Sequence, residues 1–72
     1  MHNIWTVSWS RSKNGVDIET TADIESDSAT DSVRSFMLLF PEQHSWEKQV
    51  IRTEKNHTYF LFIIEKTKLR RI

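Results

Sequence analysis

With 72 residues, no cysteine, and ten acidic side chains against ten basic ones, the chain has room for one small domain. That composition excludes a disulfide framework and a thiolate zinc site. A domain of this size buries only about 60% of the surface its unfolded chain exposes, so extra burial through association carries weight. The neutral total hides a gradient: residues 1–34 carry six acidic and three basic side chains, residues 35–72 four and seven. No basic-then-apolar leader precedes Ile4 and no apolar run is long enough to cross a bilayer, so a soluble cytoplasmic protein without a membrane partner is expected.

Asn14-Gly15 is the first local signal, because both residues tolerate positive φ and together suit a two-residue type I′ hairpin. The register this implies pairs Lys13 with Val16, Trp9 with Thr20 and Trp5 with Ile24. One face of the hairpin, spanning 4–24, then carries Trp5, Val7, Trp9, Val16, Ile18, Ala22 and Ile24. The other carries Thr6, Ser8, Ser10, Asp17, Glu19, Thr21 and Asp23, with Ile4 as its apolar exception. A slip of one residue would destroy that separation, so turn and pattern agree.

Glu25 to Thr30 reads as a polar connection, with Ser28 as N-cap and Asp31 three residues on as a short capping box. A helix is expected over 28–40, its apolar stripe made of Ala29, Val33, Phe36, Met37 and Phe40. Pro41 ends it, because the residue before proline is pushed out of the helical region. A second hairpin is expected over 46–66, its strands joined by a tight turn at Lys55-Asn56 or Asn56-His57. Its last strand contains Thr58 to Ile64, an uncharged run rich in β-branched and aromatic residues. Phe60, Phe62 and Ile64 point one way with Ile51; Tyr59, Leu61 and Ile63 point the other with Val50 and Trp46. A strand apolar on both sides needs both sides covered and belongs inside a sheet. Residues 67–72 read as a fraying basic tail.

The elements thus form a single compact α+β domain over 1–72, a ββαββ arrangement with one helix packed on one sheet face. Placing the doubly apolar last strand next to the first gives a four-stranded sheet of order 2-1-4-3 with a parallel central pair. In topology alone this resembles the β-grasp architecture, although the C-terminus lacks the diglycine of conjugated ubiquitin-like proteins. Fold likeness of this kind carries no function.

One helix covers one face, so Trp46, Val50, Tyr59, Leu61 and Ile63 are expected as an apolar patch on the helix-free side, with Ile4 adjoining. A patch of several hundred Å² on a monomer usually carries an interaction, and Trp and Tyr are favoured interface anchors. The plainer account is a small second core, with the loop at 41–45 folded over it. Burying roughly 600 Å² of apolar surface is worth on the order of 15 kcal/mol before the costs of association. The expected function is therefore non-enzymatic protein binding, as a homodimer or as an accessory or inhibitor of a larger protein. Small proteins of phages and mobile elements are often of this type.

The alternative is single-stranded nucleic-acid binding by the basic set Lys48, Arg52, Lys55, Lys66, Lys68, Arg70 and Arg71, combining phosphate attraction with stacking on Tyr59. Glu47, Glu54 and Glu65 are interspersed, and no RNA-binding signature is present. The acidic side chains Asp17, Glu19, Asp23, Glu25, Asp27 and Asp31 lack the glycine and final glutamate of a calcium loop. They fit a solvated outer face better than a cation site, or else a surface for a basic partner. His2, His44 and His57 have no metal-ligand spacing. Asn56-His57-Thr58 matches a glycosylation sequon, which means little without a secretory leader. No serine sits in a nucleophile elbow and no Gly-rich loop is present to cradle phosphate. No catalytic residue, metal, cofactor or small-molecule substrate is expected.

Overall fold

The computed structural model describes residues 3–41, 48–65 and 68–72. Strands β1 (Asn3–Lys13) and β2 (Val16–Ser26) form the first hairpin; helix α1 (Ala29–Leu39) follows; β3 (Lys48–Lys55), β4 (Thr58–Glu65) and the short β5 (Lys68–Arg71) complete the chain. They make one five-stranded antiparallel sheet of order β2-β1-β3-β4-β5 with the helix on one face.

The first hairpin keeps the register read from its turn, with Lys13 opposite Val16 and Trp5 opposite Ile24. Asn14 and Gly15 sit at φ 53° and 77°, the left-handed pair that a type I′ turn requires. The second hairpin turns at Asn56-His57, at φ 51° and 65°, with Lys55 opposite Thr58. The helix starts where its cap predicts: the Asp31 backbone N–H donates to the Ser28 hydroxyl at 3.2 Å. It ends with the Phe40 N–H donating to the Phe36 carbonyl at 2.9 Å, just before Pro41.

The strand order departs from the sequence reading. The expected four-stranded 2-1-4-3 sheet, with its parallel central pair and likeness to the β-grasp architecture, is replaced by β3 lying antiparallel beside β1 and by a fifth strand. The doubly apolar β4 does lie inside the sheet, between two neighbours, but β1 is not one of them. The second neighbour is instead the chain's own C-terminal segment, where a fraying tail was expected. Leu69 lies opposite Ile64 and faces the core, while Lys68 and Arg70 point to the other side. The Ile72 N–H extends the pairing by donating to the Leu61 carbonyl at 2.9 Å. With β5 in place, β4 is interior and every pair is antiparallel, which avoids the slightly weaker slanted bonding of a parallel pair.

The core lies between sheet and helix: Trp5, Val7 and Trp9 from β1, Ile24 from β2, Ile51 from β3, and Phe62 and Ile64 from β4, under Val33, Phe36 and Met37. The helix packs chiefly on β1, β2 and β3. Two polar side chains are fully buried there. The Ser32 and Thr53 hydroxyls lie 2.7 Å apart, and Ser32 donates to the Ala29 carbonyl at 2.6 Å, so Thr53 is left to donate to Ser32. This satisfies both hydroxyls and pins the first turn of α1 to the middle of β3. Val16, expected on the core face, is exposed: β1 pairs with β3 only from Thr6 to Trp9, so the hairpin tip projects past the sheet.

Two outcomes follow. Deleting residues 68–72 should cost about 2 kcal/mol in chemical denaturation, since it removes the Leu69 packing and unpairs an edge of β4; a fraying tail would leave stability unchanged. His57→Gly should stabilise by about 1 kcal/mol, raising Tm by several degrees, because an L side chain in the left-handed region is strained and glycine is not.

Candidate functional site

Alternation along each strand and the register between strands decide what the helix-free face presents. Across the sheet, Asp23, Thr6, Glu54 and Tyr59 form one row, and Thr21, Ser8, Arg52 and Leu61 the next. Further along, Glu19 lies beside Ser10, and Val50, Ile63 and Arg70 continue the same level. At the far end Asp17 pairs with Ser12, and Lys48, Glu65 and Lys68 line up.

The sequence-derived patch is thereby brought together on β3 and β4. Val50 is 44% and Tyr59 53% exposed, with Leu61 and Ile63 half-buried between them; Ile4, on the same face of β1, is 55% exposed. Trp46 falls outside the described residues. Arg52 sits within the patch, its guanidinium 4.2 Å from the Tyr59 ring centroid and its Nη2 2.6 Å from Glu54 Oε1. Both partners of that ion pair are more than a third exposed, so it contributes at most about 1 kcal/mol.

The basic set does not form one surface. Lys48, Arg52, Lys68 and Arg70 share the helix-free face, whereas Lys55 and Arg71 lie on the opposite one, over the rings of Trp5 (5.7 Å) and Phe60 (5.5 Å). Lys66 lies outside the described residues. The face of Tyr59 that a base would stack on already carries Arg52.

The sequence reading missed the order of properties across this face. From edge to edge it runs from the carboxylates of β2, through the short hydroxyl side chains of β1, to β3, where Val50 stands among Lys48, Arg52 and Glu54. It continues to the apolar Tyr59, Leu61 and Ile63 of β4 and then to the cations of β5. Thr6, Ser8 and Ser10 floor a shallow trough of about 490 Å³, walled by Glu19 on one side and Val50, Arg52 and Leu61 on the other. Three of the β1 hydroxyls are tied sideways into β2: Thr6 donates to Asp23 Oδ1 at 2.9 Å and Ser12 to Asp17 Oδ1 at 2.5 Å, while Thr21, which gives its own proton to Glu19 Oε1 at 3.0 Å, is left to accept from Ser8 at 3.4 Å. Thr6 and Ser8 of the trough floor are small and already hydrogen-bonded, with little need of polar partners from outside. Among the described residues no three His, Cys, Asp or Glu side chains are grouped to hold a metal ion, and no helix is long and apolar enough to cross a membrane.

No family model, no curated protein and no solved structure matches the chain. The case for function therefore rests on the geometry of this face.

If the face is surface rather than core, Tyr59→Asp and Leu61→Asp should each change the unfolding free energy by about 1 kcal/mol or less. Phe62→Asp, one residue along on the buried side, should abolish folding. Denaturant titration at low protein concentration separates the two sets.

Proposed function

We propose that this protein is a non-enzymatic protein-binding module that docks through its helix-free sheet face. One observation carries the reading: the apolar ridge of Val50, Tyr59, Leu61 and Ile63 sits on the face opposite α1, with Val50 and Tyr59 about half exposed. Water-exposed apolar side chains in one contiguous patch make association favourable, and Tyr beside Arg is a common composition for an interface anchor. The open trough beside the ridge adds shape for a partner to fill. An accessory or inhibitory role on a larger protein, and a cytoplasmic setting, belong to the same reading. The basic side chains are divided between two faces and partly engaged with aromatic rings and Glu54, which weakens the case for a nucleic-acid groove.

The test compares wild type with Leu61→Asp in sizing chromatography with light scattering, and in affinity retention from the native host. Wild type is expected to associate, with itself or with a specific protein, and the variant to remain folded and lose that association. A Leu61→Asp chain that unfolds would show the patch to be core. Associations identical for both proteins would show that docking occurs elsewhere. Absorbance at 260 nm accompanying the wild-type peak, lost on raising salt, would favour nucleic acid instead.

A further inference from the structure

We propose that the occupant of this face is a second copy of the chain, packed sheet to sheet about a two-fold axis that runs parallel to the strands over β3. The proposal rests on the docking reading above and adds the partner and its orientation. The ordering of the face carries it. A two-fold parallel to the strands exchanges left for right across the sheet and keeps each row at its own level. It therefore lays β4 of one copy over β1 of the other, and β5 over β2.

Both superpositions are complementary. Leu61 comes to lie over Ser8 and Tyr59 over Thr6, large apolar side chains over the short, internally hydrogen-bonded floor of the trough. Arg70 comes to lie over Glu19 and Lys68 over Asp17, so the cationic edge meets the acidic edge twice in each dimer. On the axis β3 lies over β3, so Val50 meets Val50 and the like charges Lys48, Arg52 and Glu54 meet their own copies, Arg52 entering already paired with Glu54 of its own chain. The other two-fold available to facing sheets, perpendicular to the strands, stacks β2 on β2 and sets carboxylate against carboxylate. Sheets facing one another with strand directions within about 30° are an ordinary way to pack, and they interdigitate large side chains with small ones. Five strands at about 4.8 Å spacing give each copy a flat contact of roughly 600 Å² before side-chain relief is counted, close to the roughly 800 Å² per partner of stable complexes. A copy of the same face supplies both ends of this gradient in the right order.

The experiment is a charge exchange read by analytical ultracentrifugation, with circular dichroism confirming that each variant is folded. Wild type is expected at twice the mass of one chain. Glu19→Arg and Arg70→Glu should each weaken self-association about tenfold or more, and the double variant Glu19→Arg/Arg70→Glu should restore it. Wild type that stays monomeric to millimolar concentration overturns the second copy and leaves the docking reading to its own test. A dimer that survives Leu61→Asp overturns both. A dimer broken by Leu61→Asp but not rescued by the charge exchange overturns the strand-parallel axis.

Discussion

One eleven-residue helix can cover only one side of a five-stranded sheet, and the rest of this structure follows from that constraint. An α-helix of that length is roughly 16 Å long and 10 Å wide, while five strands are roughly 24 Å across. The chain places its largest buried side chains, Trp9, Phe36 and Phe62, on the helix side, between sheet and helix. The other side is left to short hydroxyls, charges and one apolar ridge.

Strand order converts this two-sidedness into a directional surface. Because β2 is one edge and β5 the other, the acidic first half of the chain and the basic second half end up at opposite margins of the same face. The uneven charge distribution along the sequence thus becomes a gradient in space. Had β4 paired with β1, β3 with Lys48 and Arg52 would have formed the margin. The observed order also fixes the core: Trp9 faces Ile51 across β1 and β3, and Val7 faces Thr53, whose hydroxyl reaches Ser32 on the helix.

Much of the local structure was legible in the residues. Asn14-Gly15 specified its turn and register, Ser28 specified the helix start, and alternation assigned Val50, Tyr59, Leu61 and Ile63 to one face. Strand neighbours were not legible, because a period of two says which way a side chain points and nothing about which strand lies alongside. β5 was hidden by its charges: Lys68 and Arg70 looked like a tail, although a lone Leu69 between them is what a short edge strand with one buried face presents. Ser32 and Thr53 carried no signal because a buried hydroxyl pair looks, residue by residue, like two ordinary polar positions. The property gradient depends on the strand order and was out of reach for the same reason. His57 gave no warning of its left-handed backbone, since the turn could equally have closed one residue earlier.

The most direct test of this account is solvent paramagnetic relaxation of methyl groups by NMR, in a protein dilute enough to be monomeric. The account predicts strong relaxation at Val50, Leu61 and Ile63 and almost none at Val33, Ile51 and Ile64. Leu61 and Ile63 as silent as Ile51 would contradict it, because the face described as open would then be sealed by the chain itself.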